Sequence, residues 1–135
     1  MQDCNFCKII DGEIPNHTVY EDNNSIAFLD INPQAKGHTI VIPKVHAETF
    51  FDLNEELIGE LFVAVQRAME SIDSKINPDG YNVGWNQERA GGQVVPHLHV
   101  HIMPRWEDDG GGNMHSIVDS PGEMEVEEVA ELFDQ

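Results

Sequence analysis

The chain has 135 residues, room for one ordinary domain and little for a second independent core. Hydrophobic residues make up 40% and 11 glycines accompany them, an apolar share that excludes disorder throughout. Seven Lys and Arg face 25 Asp and Glu, and the net charge of −18 repels phosphate backbones and anionic lipid, which sets aside nucleic-acid polymers and membrane surfaces as partners.

In chain order, Asp11-Gly12-Glu13-Ile14-Pro15 reads as a turn. Val19–Glu21 and Ile26–Leu29 read as two strands of a hairpin joined at Asp22-Asn23-Asn24. Asn32–Gly37 forms a loop, and Thr39–Ile42, a β-branched run stopped by Pro43, is expected as a buried strand. From Asn54 to Ile76 the residues Leu57, Leu61, Ala64, Val65, Ala68, Met69, Ile72 and Ile76 recur at helical steps and mark one apolar stripe. Asn54 suits the N-cap, and Glu55 and Glu56 suit the positive end of the helix dipole. Asn77-Pro78-Asp79-Gly80 stops the helix, and Tyr81–Asn86 reads as a strand. After a Gly-bearing loop, Pro96–Pro104 alternates closely enough to be read as another strand.

Residues 107–135 hold ten Asp or Glu and no Lys or Arg, with Gly110-Gly111-Gly112 expected as a mobile linker and Val126, Val129, Ala130 and Phe133 fitting a short terminal helix. The expected division is a domain over 1–106 and an acidic tail over 107–135, in the α+β class. An acidic, Lys-poor composition is similar to that of proteins from salt-loving organisms, where screening keeps dense charge tolerable; an acidic mesophilic protein is the plainer alternative. No stretch approaches the roughly 20 apolar residues of a membrane span. Met1-Gln2-Asp3-Cys4 has no basic region leading into an apolar one, so the expected location is the cytoplasm.

On a strand, His97, His99 and His101 share one face at about 6.6 Å intervals, and Leu98, Val100 and Ile102 share the other. A core explains the apolar row. It does not explain the imidazoles, each of which needs hydrogen-bond partners and packs less well than Val or Ile. The expectation is a chemical role for them, against a His-rich solvated edge. Gly91-Gly92-Gln93 lies just upstream, where residues without a Cβ let backbone N–H groups approach an anion and a side-chain amide adds a donor. Cys4-x-x-Cys7 has the spacing of half a tetrahedral zinc site, with His46 and His97 as candidates for the other half; a redox pair and two inert thiols remain alternatives. Asp30, at a strand end, suits either a pair of ribose hydroxyls or a purely local turn.

Pro96-His97-Leu98-His99-Val100-His101-Ile102-Met103-Pro104-Arg105, preceded by Gly91-Gly92-Gln93, resembles the signature of the histidine-triad nucleotide hydrolases. Cys4 to Pro15, Phe28 to Pro33 and His38 to His46 follow the same family pattern in the same order. The resemblance implies a central antiparallel sheet with one long helix and short flanking helices, extended in a homodimer, and cleavage at the α-phosphate of nucleoside phosphoramidates or dinucleoside polyphosphates. It implies His99 as the nucleophile that carries the nucleotidyl group, with His101 binding phosphoryl oxygen or assisting the leaving group. It further implies a purine pocket of Phe6, Ile9, Phe28 and Ile31, ribose contact by Asp30, phosphate-side contacts by Asn86, Gly92 and Gln93, and support of the histidines by His38. In members with the cysteine pair, residues matching Cys4, Cys7, His46 and His97 hold a structural Zn2+. Val94 departs from the pattern, standing where many members have a hydroxyl residue. Two other functions compete: a metal enzyme in which His97, His99 and His101 share one ion, opposed by their span of about 13 Å on a straight strand, and a nucleotide-binding or interaction module with incidental hydrolysis.

Overall fold

The structure, a computed structural model, describes residues 4–134. Met1-Gln2-Asp3, part of the segment read as lacking a leader, and Gln135 lie outside the described residues. Five strands form one antiparallel sheet: β1 (Thr18–Glu21), β2 (Ser25–Leu29), β3 (Thr39–Pro43), β4 (Gly80–Gly84) and β5 (Val100–Arg105), in spatial order β1-β2-β3-β5-β4. The expected hairpin is β1-β2, and its turn is tied by Asp22, whose Oδ1 accepts from the backbone of Asn24 and Ser25, each at 2.9 Å. The α+β class and the central antiparallel sheet stand as expected.

The long helix α2 runs Glu55–Ile76, as its stripe indicates. The Asn54 side chain accepts from Leu57 N at 2.9 Å, and Asn77 closes the helix in the left-handed region at φ 54°. Leu61, Ala64, Val65, Ala68 and Ile72 are buried against Ala27, Val41, Leu98, Val100 and Ile102 on one face of the sheet. Strand alternation sends Ile26, Phe28, Ile40 and Ile42 to the opposite face. There they meet α1 (Asn5–Ile10) through Cys4 and Phe6. The sheet therefore has a helix on each face, and the histidine row lies on the α1 side. Gly37 turns the chain into β3 at φ 83°, and a Cβ there would stand 2.6 Å from Ile76 Cδ1, so the loop closes on the end of α2 only with glycine.

Two expected strands have different bounds. The strand read over Pro96–Pro104 begins only at Val100. Leu98 N bonds the carbonyl of Ala47 at 2.7 Å and His97 N turns back to Val95 O at 2.8 Å, so residues 96–99 leave the sheet ladder before β5 starts. The strand read over Tyr81–Asn86 ends at Gly84, because Trp85 peels off to stack on Phe50 with ring centroids 4.6 Å apart. Two short helices follow the loops: α3 (Glu88–Gly91) and, in the tail, α4 (Val126–Glu131).

Candidate active site

His97 and His99 each have one ring nitrogen committed to a backbone carbonyl, which fixes the tautomer, and that of His101 follows through His38. His99 Nδ1 lies 2.8 Å from the carbonyl oxygen of His97, which can only accept. Nδ1 therefore carries the hydrogen, and Nε2 keeps its lone pair. His99 is buried, with Phe6 edge-on at 5.1 Å and His101 at 5.0 Å between ring centroids. Burial pushes its proton affinity below the ordinary histidine value. The result is a neutral imidazole with one unoccupied nucleophilic nitrogen.

His101 is set by a chain of donors. The backbone N–H of Gln34 donates to His38 Nδ1 at 3.1 Å, so the His38 hydrogen sits on Nε2. That nitrogen donates to His101 Nδ1 at 2.9 Å, which leaves the His101 hydrogen on Nε2. Burial, then the neighbouring His99 and His38 rings, push His101 down to about 4. Asp30 Oδ2 lies 3.6 Å from His38 Nε2. His38 thus bonds His101, and His101 is a neutral hydrogen-bond donor at neutral pH.

His97 faces the other way. Its Nε2 donates to the carbonyl of Pro43 at 2.9 Å, so its Nδ1 presents a lone pair to Cys4 Sγ at 3.3 Å and Cys7 Sγ at 3.5 Å. His46 Nδ1 is 3.3 Å from Cys7 Sγ. Ligand atoms of Cys4, Cys7, His46 and His97 all lie within 4.8 Å of one another, two thiols and two imidazoles in a set that fits a tetrahedral cation. Burial, then the adjacent Cys4 thiol, push Cys7 up to about 11. The three triad rings therefore point to three separate partners, and among the described residues no cluster joins His97, His99 and His101 around one position. That arrangement removes the three-histidine metal enzyme.

Of the expected purine pocket, Phe6 and Phe28 are buried in edge contact at 5.7 Å and Ile9 is half-buried beside them. Ile31 stands apart at the surface, 82% exposed. Asn86 is exposed and, with His101, Trp85, Met103 and Met114, lines a groove of about 330 Å³ on the side of the triad away from α1. The groups expected to cradle phosphate make bonds within the protein. Gln93 Oε1 accepts from Glu88 N at 2.9 Å, and its Nε2 donates to the carbonyls of Glu48 at 2.7 Å and Val95 at 3.1 Å. The N–H groups of Gly92 and Gln93 bond Arg89 O and Glu88 O. Gly92, at φ 98°, is the cap that ends α3, so the same glycine serves a helix terminus. Sequence reasoning also missed α1, whose N-cap is the thiol of Cys4 accepting from Cys7 N at 3.2 Å, and the carbonyls of Pro43 and His97 that set the tautomers.

The site thus holds a buried, lone-pair-bearing imidazole beside a neutral imidazole donor. A family model of the HIT domain matches residues 11–108. An uncharacterised HIT-like protein of Methanocaldococcus jannaschii is 49% identical over 107 residues, covering 79% of this chain and 82% of that one. The adenosine 5′-monophosphoramidase of Schizosaccharomyces pombe is 40% identical over 108 residues, covering 80% and 78%. The crystal structure of a HIT family protein from Bacillus anthracis superposes with a TM-score of 0.84 at 41% identity, covering 96% of this chain and 92% of that one. The chain belongs to the HIT family, as its histidine-triad signature implied.

Proposed function

We propose that the chain hydrolyses nucleoside phosphoramidates or dinucleoside polyphosphates, with adenosine as the nucleoside, through a covalent nucleotidyl group on His99. The observation that carries this reading is the fixed tautomer of His99: Nδ1 is held by the His97 carbonyl and Nε2 is left with a lone pair. In the first step Nε2 forms a bond to the α-phosphorus, and the bond from phosphorus to the leaving nitrogen or oxygen breaks with its electron pair, the leaving atom taking a proton from solvent. Positive charge grows on the His99 ring and is met by the His97 carbonyl dipole. His101 donates from Nε2 to phosphoryl oxygen. Water then displaces the imidazole and releases the nucleoside monophosphate. Phe6, Ile9 and Phe28 face the base and Asp30 the ribose, by analogy with the family, while Gln93 and Gly92 act by holding the loop.

Cys4, Cys7, His46 and His97 would hold a structural Zn2+. With four protein ligands such a site leaves no position for an activated water, so its contribution is to fix α1, and with it Phe6, against the segment that carries His99. A homodimer is supported by β4, which lies at a sheet edge, and by the exposed Phe62 and Val63 on α2. Among the described residues no helix is long and apolar enough to cross a membrane, and two free thiols fit a cytoplasmic protein of a salt-loving organism. The test is turnover of adenosine 5′-phosphoramidate by wild type and His99→Asn, alongside adenosine monophosphate binding by calorimetry. A loss of a thousandfold or more with retained binding is expected, on the order seen when a nucleophile is removed. Negligible wild-type turnover with tight binding would instead favour the nucleotide-binding module.

A further inference from the structure

Asp30 follows β2 with both carboxylate oxygens engaged. Oδ1 accepts the backbone N–H of Asn32 at 2.8 Å, which turns Oδ2 inward to 3.6 Å from His38 Nε2. That nitrogen is the one that donates to His101 Nδ1 at 2.9 Å. The His38 side chain is 2% exposed and that of Asp30 18%, so the charge acts over a path largely shielded from water. The titratable groups facing the His38–His101 pair are His99, whose ring centroid lies 5.0 Å from that of His101, and Asp30, the one anion among them. Burial lowers the proton affinity of both rings while the Asp30 charge raises it.

The bond to Asn32 is a local turn, and it leaves the second carboxylate oxygen directed at an imidazole. The His38–His101 bond can in principle run in either direction, and only one direction leaves a hydrogen on His101 Nε2. The Gln34 N–H holds the far side of His38, and an anion beside Nε2 favours a hydrogen on that nitrogen.

We propose that Asp30 is a positioning residue for the phosphoryl step: its charge keeps His38 Nε2 protonated and thereby presents His101 as an Nε2–H donor, whether or not a ribose is bound. The inference rests on the hydrolase reading above and adds a role to the ribose contact.

Asp30→Asn keeps an amide oxygen for the Asn32 N–H and removes the charge. In the ligand-free, nitrogen-15-labelled protein the ring signals of His38 and His101 are expected to move from single tautomers toward a mixture. Asp30→Glu, which keeps the charge, is expected to retain the wild-type pattern and guards against a folding artefact. Turnover is then compared on adenosine 5′-phosphoramidate and on a sugar-free alkyl phosphoramidate with a fluorescent arylamine leaving group. About a tenfold fall in kcat is expected on both, less than the roughly hundredfold or more of a lost acid or base, because His101 itself stays in place. Unchanged ring signals, or a loss confined to KM for the adenosine substrate, would overturn the proposal. If the wild type turns over neither substrate, the hydrolase reading fails by itself, and the ring signals still decide the role of Asp30.

Discussion

Two clusters flank His99 with similar inventories and opposite contents. On one side stand Cys4, Cys7, His46 and His97; on the other, Asp30, His38 and His101. Both offer imidazoles and anionic or ionisable partners within 4.8 Å of one another, yet the hydrogens are placed differently. His97 gives its hydrogen outward to Pro43, so its lone pair faces the thiols and the centre of that cluster is open to a cation. His38 receives the Gln34 N–H from outside, so its own hydrogen points inward and fills the centre of the second cluster. Residue type alone does not separate a metal site from a proton-holding pair. A backbone group on the far side of one ring does, joined in the second cluster by the Asp30 charge beside His38 Nε2.

This contrast is open to attack from both sides. Cys7→Ser should take bound zinc from one per chain to near zero by elemental analysis and lower the melting temperature by about 5–10 °C, since a lost structural metal is lost folding energy. Undiminished zinc would break the assignment of the first cluster. His38→Gln should leave zinc content unchanged and reduce kcat by about tenfold or more with little change in KM, because His101 loses the partner that orients it. A matching fall in zinc would mean that the two clusters are not separate.

The second cluster also predicts a pH dependence of folding. Burial pushes His101 down to about 4 and His38 below its ordinary value of 6.5. Between about pH 6.5 and 4 the unfolded chain therefore binds more protons than the folded one, and stability falls as pH falls through that window, levelling below it. Denaturant titrations at pH 7, 5.5 and 4 measure the slope, which should shrink in His38→Gln. The smallest effect concerns the surface. With a net charge of −18, diluting potassium chloride from about 1 M to 0.1 M lengthens the Debye screening from about 3 to 10 Å and should lower the melting temperature by a few degrees. Full stability in dilute buffer would count against a halophilic origin.

The parts of the molecule readable from sequence are those whose cause is local. Helix α2 announces itself by its cap at Asn54 and its apolar stripe, and the core row Leu98, Val100 and Ile102 follows from alternation. The grouping of Cys4, Cys7, His46 and His97 was approachable because the chain has only two cysteines and seven histidines. What stayed hidden depends on contacts distant in sequence. The start of β5 is set by the Ala47 carbonyl, and the tautomers of His97 and His38 by Pro43 and Gln34. The helix-capping role of the Gly91-Gly92-Gln93 stretch was hidden because a positive φ serves a helix cap as readily as an anion cradle, and the three bonds of the Gln93 amide tie it to backbone groups of Glu48, Glu88 and Val95. Helix α1 has six residues, too few for a periodic signal, and a cysteine where a cap would be sought as Ser, Thr, Asp or Asn.

The most direct measurement is rapid mixing of the protein with adenosine 5′-phosphoramidate, an alkaline denaturing quench that spares nitrogen–phosphorus bonds, and peptide mass spectrometry. An adenylyl group on the peptide holding His99, localised to that ring and absent from His99→Asn, is the predicted result. Steady turnover with no adduct at any quench time, or an adduct on His101, would contradict the assignment of His99 Nε2 as the attacking atom.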